Sequence, residues 1–212
     1  MLTIHHLYQS RSERILFLVK QLDIPHLVVP YHRDVKTLLA PPTLRAVHPL
    51  GSAPVITDHG LVLAESGAIM SYIVDKYGHG RLLPEPHTPA WYHCQEWMHF
   101  NEGTLMAGWV DLMFLAMAGQ RQGPAVEMLK MRLDRYTNYL NAAVAEQGYL
   151  CGSFVTVADI MTVFSLDFIT DSTFPDLFHT SIASLPPALQ DYLLRMRSLP
   201  GYAYSQRRDF TA

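Results

Sequence analysis

Two short stretches near the N-terminus carry side chains suited to holding an anion. Ser10-Arg11-Ser12-Glu13-Arg14 falls between a strand-like segment and a helical pattern. Its hydroxyls therefore stand where the free N–H groups and the dipole of a helix start favour negative charge. Glu65-Ser66-Gly67-Ala68-Ile69 opens a second helical pattern. There Ser66 and the free N–H groups suit a carboxylate, while Glu65 suits an ammonium. Between them, Gly51-Ser52-Ala53-Pro54-Val55 places a proline at a strand start, a tolerated position for that residue. Serines at such places also serve as plain caps and turn residues, so both uses stay open. No GxGxxG, P-loop, GxSxG or HExxH pattern is present, which removes support for the common nucleotide, hydrolase and zincin chemistries. His93, Cys94, Glu96 and His99 are of metal-ligating types, but helical spacing does not bring all four to one face, and no metal is expected.

The elements that must position these residues are legible in the periodicity. Leu2 to Tyr8 begins with alternation and reads as a strand, with His5 and His6 on opposite sides. Ser12 to Leu22 carries Ile15, Leu18, Val19 and Leu22 on one helical face, and Asp23 and Pro25 stop it. The apolar run His26 to Tyr31 suggests a buried strand. A Pro-punctuated stretch from Ala40 to Pro49 reads as irregular. Pro54 to Thr57 and Leu61 to Ala64 flank Asp58-His59-Gly60, taken as a three-residue hairpin loop. Glu65 to Tyr77 is a helix closed by Gly78. The expected order is β-α-β-(irregular)-β-β-α over residues 1–79, followed by a Pro/Gly-rich linker at 80–89.

Beyond the linker no convincing strand appears. Trp91 to Ala118 and Gly123 to Gln147 are long helical patterns, the second with a packing seam at Val126, Leu129, Leu133, Tyr136 and Leu140. Thr156 and Asp159 stand as N-cap and N3, each expected to satisfy a backbone donor of the other, with Val155 and Ile160 placed as a hydrophobic staple. Ile160 to Ile169 is apolar on nearly all sides and reads as the core of the second domain. Pro186-Pro187 starts another helix, which Leu199-Pro200-Gly201 is expected to end. Residues 90–212 thus form an all-α domain.

The chain's 212 residues are 49% hydrophobic and 17% charged, too apolar for a disordered protein and long enough to fold without a disulfide or metal staple. A formal net charge of −3 speaks against a nucleic-acid partner. Cys94 and Cys151 fit neither a disulfide framework nor a CxxC pattern, and read as reduced thiols of a cytosolic protein. The N-terminus lacks the features of a signal peptide, and no apolar run approaches a membrane span. The expectation is a soluble, cytoplasmic protein without membrane or nucleic-acid partners.

The three quoted stretches, with Thr156-Val157-Ala158-Asp159, resemble in order and spacing four motifs of the glutathione S-transferase family. These are its active-site turn, its cis-proline segment, its Glu/Gln-Ser motif and the helix-capping motif of its second domain. The resemblance covers essentially the whole chain and is closest to bacterial and fungal serine-type, theta-like transferases. It implies a thioredoxin-like α/β N-terminal domain that binds glutathione and an all-α C-terminal domain that takes an electrophile. Ser10, favoured by its spacing to Arg14, or Ser12 would contact the glutathione sulfur. Arg11, Ser52, Ala53, Pro54, Glu65 and Ser66 would bind the rest of the tripeptide, a cis bond before Pro54 turning the Ala53 backbone towards it. Many relatives place Lys or Gln where Ser52 stands, and His48, Arg11 and Arg33 are candidates for that grip. His99, Glu102 and Met106, beside Trp97, Phe100 and Trp109, would meet a small hydrophobic electrophile.

The chemistry implied is attack by a thiolate that belongs to the substrate. A free thiol of pKa near 8.5 is only about 3% ionised at pH 7, and lowering it by ~2 units corresponds to roughly 2.7 kcal/mol. Glutathione is then a co-substrate, with no metal, and the resemblance also implies a homodimer with a detoxifying role. A glutathione-dependent peroxidase or disulfide reductase, or a non-catalytic binding module on the same fold, are the alternatives.

Overall fold

A computed structural model describes residues 1–170 and 181–211. The chain divides into two compact units, Met1–Leu82 with Arg197–Ala212, and Leu83–Met196.

The first unit is built on a four-stranded sheet: β1 (Thr3–Leu7), β2 (Leu27–Tyr31), β3 (Val55–Asp58) and β4 (Leu61–Ala64) in the order β2-β1-β3-β4. β1 pairs parallel with β2, and β3 runs antiparallel to both β1 and β4. The helices are α1 (Glu13–Gln21), α2 (Pro42–Val47) and α3 (Ser66–Tyr77). The parallel β1–β2 pair requires a crossover, which α1 supplies. This is the thioredoxin-like arrangement that the resemblance implies. Ile4, Ile15, Leu16, Leu18, Val19, Ile56, Ile69, Met70 and Ile73 form its core, all fully buried.

Three local expectations need correction. β2 is an edge strand with Leu27 exposed, because β1 covers only one of its sides. Residues 42–47 are helical: Pro42 opens α2 at a first-turn position, where a missing N–H costs nothing. The hairpin loop has two residues, not three. Asp58 pairs with Leu61, and both His59 (φ 48°) and Gly60 (φ 87°) take the left-handed conformation that matches strand twist. The helix begun at Pro187 does end just ahead of Leu199-Pro200-Gly201, at Arg197, and Pro200 also starts a further helix.

Asp58 fastens the hairpin to α3. Its buried carboxylate accepts from Tyr72 (2.8 Å), Lys76 (2.8 Å) and Tyr77 (2.5 Å). Burial works to raise this carboxyl, but the hydrogen bonds from Lys76, Tyr77 and Tyr72 outweigh it and hold it well below the usual range. The position of α3, and of the Glu65–Ser66 corner at its start, is thereby set from the far end of the helix.

The helical unit contains α4 (Pro89–Phe100), a π-helical segment Asn101–Met106, α5 (Ala107–Met117), α6 (Pro124–Gln147), α7 (Val157–Thr170) and α8 (Pro187–Arg197). α7 is buried over most of its surface, as expected for a core helix apolar on nearly all sides. Its start differs in one detail from a reciprocal capping box. The Asp159 carboxylate does accept from the Thr156 N–H (2.8 Å), but the Thr156 hydroxyl donates to that carboxylate (2.7 Å) instead of capping a backbone N–H. Burial raises the Asp159 carboxyl from its ordinary value, against the pull of Leu150, Thr156 and Tyr192 as donors.

The last helix, α9 (Pro200–Ser205), belongs to the first unit. It packs on α1 through Gly201, whose N–H donates to the Gln21 side chain at 3.4 Å. A methyl group at Gly201 would lie 2.6 Å from the Phe17 carbonyl oxygen. Gly201→Ala is therefore expected to destabilise the protein by about 1–3 kcal/mol. Equilibrium denaturation checks this, and a change below roughly 0.5 kcal/mol, the ordinary surface range, would contradict the close packing.

Candidate active site

Register alone gathers the three quoted stretches at one end of the sheet. His5 of β1 pairs with Val55, and Val55 pairs with Ala64. The turn after β1, the Ala53–Pro54 step before β3 and the Glu65 corner after β4 therefore lie side by side.

In the β1–α1 turn, Gln9 takes a left-handed backbone (φ 55°), and the turn delivers Ser10 to the first amides of α1. Ser12 is fully buried and Ser10 only 7% exposed. Ser12 stands at the N-cap position yet makes no side-chain cap. Its hydroxyl instead donates to the Leu7 carbonyl (3.1 Å) and lies 2.8 Å from both Ser10 Oγ and His6 Nδ1. The Ser12 N–H donates to Ser10 Oγ at 3.2 Å. The capping use of Ser12 is thus replaced by a buried hydroxyl network that ends at Ser10.

His6, placed by the sequence on the opposite side of the strand from His5, is part of that network. The Tyr8 ring meets its imidazole edge-on at 4.8 Å, and Phe210 from the C-terminal tail does so at 5.6 Å. The tail is fixed there by the Phe210 N–H donating to the Tyr8 hydroxyl (3.2 Å) and by Arg208 pairing with Glu13 (3.0 Å). Burial, with smaller contributions from Arg208 and His32, lowers the His6 pKa to about 4, so the ring is neutral at pH 7. No sequence pattern links His6 to a tail some two hundred residues away; only the strand phase, which faces it away from His5, is readable.

At the second stretch, the Ala53–Pro54 bond is cis, Pro54 is buried, Ala53 is half-buried and Ser52 is exposed. Ser52 and Ala53 form no hydrogen bond among the described residues. Of the groups considered in place of a longer residue at 52, Arg33 donates to the carbonyls of Leu38 and Gln9, both at 3.0 Å, which uses its guanidinium to hold the local loop. His48 Nδ1 accepts the Leu50 N–H at 3.3 Å, leaving Nε2 as its donor. Arg11 is half-buried beside the serines.

At the third stretch, Glu65 is exposed with φ 73° and ψ 120°, a conformation that costs energy for a residue with a Cβ. It turns the chain sharply so that Ser66, 4% exposed, starts α3. No side chain caps this helix start, so its first N–H groups remain open to an anion.

In the helical unit, His99 is exposed, Glu102 half-buried and Met106 almost fully buried. Trp97 stacks on Tyr139 (4.7 Å between centroids), and Phe100 meets Tyr136 edge-on (5.8 Å). Glu102 and Met106 belong to the π-helical segment, which the sequence does not signal. Asn101 pins its start by donating to Thr162 (2.9 Å) and accepting from Ser165 (2.8 Å). Such segments change the aim of side chains and are frequent at functional sites. Among the described residues no group of three or more His, Cys, Asp or Glu side chains converges on a potential metal position. Among them, too, no helix is long and apolar enough to cross a membrane.

A thioredoxin-like domain with an uncapped helix start at the Glu65–Ser66 corner, joined to an all-α domain, defines a glutathione transferase architecture. Two family models match: the glutathione S-transferase N-terminal domain over residues 2–75 and the glutathione S-transferase C-terminal domain over residues 108–204. The chain belongs to the glutathione S-transferase family. Glutathione S-transferase 3 of Schizosaccharomyces pombe is 36% identical over 107 residues, 50% of this chain and 43% of that protein. Glutathione S-transferase 1 of Saccharomyces cerevisiae is 26% identical over an alignment covering 97% of this chain and 94% of that protein. A crystal structure of a glutathione S-transferase from Actinobacillus pleuropneumoniae superposes with a TM-score of 0.85 at 26% identity, covering 97% of this chain and 91% of the other.

Proposed function

We propose that this chain is a glutathione transferase that binds glutathione along one end of the sheet and attacks a small hydrophobic electrophile with the glutathione sulfur. The observation carrying the reading is the Ser10 hydroxyl, held at a helix start with the Ser12 hydroxyl, 2.8 Å away, as its one possible acceptor among the described residues. A thiolate placed there accepts that proton as a hydrogen bond and gains from the positive end of the α1 dipole. The sulfur forms a thioether to the electrophilic carbon, and the leaving group departs with the electron pair of the broken bond.

The tripeptide backbone would pair with Ala53 beside Pro54, with Arg11 and Ser52 at the glycine end. Its γ-glutamyl carboxylate would sit on Ser66 and the first amides of α3, with its ammonium on Glu65. Residues 1–79 form the proposed glutathione-binding domain, 80–89 the linker, and 90–212, whose last helix packs back on α1, the segment whose His99, Glu102 and Met106 would meet the electrophile. A cytoplasmic location suits two buried thiols, Cys94 and Cys151, that remain unpaired as a disulfide. Exposed Phe114 and Met117 on α5 and Met128 and Met131 on α6 support a homodimer. A detoxifying role follows from an apolar second substrate.

Calorimetric titration with glutathione tests the binding half of this reading. Glu65→Gln keeps the shape of the corner but removes the charge, and is expected to weaken binding about tenfold, roughly 1.4 kcal/mol. Unchanged affinity would remove Glu65 from the site. Wild type that binds glutathione but gives no thioether with a model electrophile would overturn the transferase reading itself.

A further inference from the structure

We infer that His6 is a positioning residue that fixes the direction in which the turn's hydroxyls donate, leaving Ser10 as the one hydroxyl able to swing its proton onto a ligand sulfur. The inference rests on the reading of Ser10 given above and extends it to a residue behind the site.

Ser12 has a single hydroxyl hydrogen, and the Leu7 carbonyl 3.1 Å away only accepts. With that hydrogen committed, Ser12 Oγ must act as acceptor towards both remaining neighbours, His6 Nδ1 and Ser10 Oγ, each at 2.8 Å. His6 therefore carries its proton on Nδ1. Its Nε2 is then a bare lone pair, buried, and without a partner among the described residues. The opposite tautomer would bury an unpartnered N–H at Nε2 and would also draw the Ser12 proton away from Leu7, leaving two groups unsatisfied instead of one. Tyr8 and Phe210 close the ring in with their edges, while Arg208 and His32 are the charged and titratable groups that disfavour a second proton.

The consequence lies at Ser10. When its hydroxyl turns towards a ligand, Ser12 Oγ loses one donor but keeps the other from His6, so no buried oxygen is stranded. Without the His6 donor, the same rotation would strip Ser12 Oγ of its last incoming hydrogen bond. Ser10 would then be held back on Ser12, and the bound thiol would ionise less readily.

Two measurements decide the matter. Nitrogen-15 NMR of histidine-labelled protein at neutral pH is expected to show His6 protonated at Nδ1 and bare at Nε2. Ultraviolet titration of the glutathione complex is expected to show the thiol pKa raised by about one unit in His6→Leu, a tenfold loss of thiolate at neutrality. His6→Asn, whose side-chain amide offers a donor near the Nδ1 position, is expected to recover most of that loss. An Nε2–H tautomer in the wild type overturns the proposal without any variant having to fold. So does a His6→Leu complex with an unchanged thiol pKa. The reading of Ser10 fails separately: a Ser10→Ala complex with an unshifted thiol overturns it, and the purpose of the His6 donor with it, whichever tautomer is found.

Discussion

Ser10→Ala is expected to raise the pKa of glutathione bound to this protein by about 2 units and to lower kcat/KM for conjugation at neutral pH by roughly a hundredfold. Ser10 is nearly buried, its hydroxyl has no acceptor among the described residues besides Ser12, and α1 begins three residues further on. Removing the hydroxyl takes away the one directed hydrogen bond and leaves only the diffuse pull of the helix amides on the sulfur. The loss should fall mainly on kcat at neutral pH and shrink as the pH rises above the free thiol's own pKa, because solvent then ionises the sulfur without help. Ser12→Ala offers the contrast: its proton is tied to Leu7, so it should disturb stability more than the thiol. A variant lacking Ser10 that conjugates at the full rate across this pH range would place the activating donor elsewhere.

Asp159→Ala is expected to cost about 3–5 kcal/mol of stability. The carboxylate is wholly buried and accepts from the Leu150 N–H (2.9 Å), the Thr156 N–H (2.8 Å), the Thr156 hydroxyl (2.7 Å) and the Tyr192 hydroxyl (3.1 Å). Alanine leaves these donors in an apolar interior with nothing to receive them. The helix affected is α7, the most buried of the helical unit, and the bond to Tyr192 ties it to α8. For a chain of this size the melting temperature should drop by about 6–20 °C, at roughly 2–4 °C per kcal/mol. Denaturant titration supplies the free energy. A loss under about 1 kcal/mol would mean that water or backbone rearrangement satisfies the four donors, and that the cluster does not anchor the unit.

Motifs whose parts are close in sequence are readable. Thr156 and Asp159 stand one helical turn apart, and both strands of the β3–β4 hairpin are visible in Pro54 to Thr57 and Leu61 to Ala64. Proline hides two helix starts: Pro42 falls in a stretch that reads as irregular, and Pro200, which marks the end of one helix, also begins the next. The residue type allows either role, and the burial available to its downstream neighbours decides between them: Leu44 and Gly201 find cover against the rest of the first unit. The buried reading of His26 to Tyr31 errs because strand order is a tertiary property that hydrophobicity alone does not report. At the site, the serine turn, the cis Ala53–Pro54 step and the Glu65–Ser66 corner can be found by type and spacing. His6 cannot. Its role depends on a hydroxyl six residues along, on the far side of a turn, and on a tail closing over it from the other end of the chain.

That tail has a consequence for synthesis. The first unit is assembled from both ends of the polypeptide, with Gly201 seated on α1 and Phe210 held by Tyr8. A nascent chain that has just left the ribosome with its opening eighty residues cannot yet cover Phe17 or close over the imidazole. The strands and the serine turn can form early, but their final burial waits until residues 201–210 have been translated. During that interval the exposed face of α1 is a natural place for a chaperone to act.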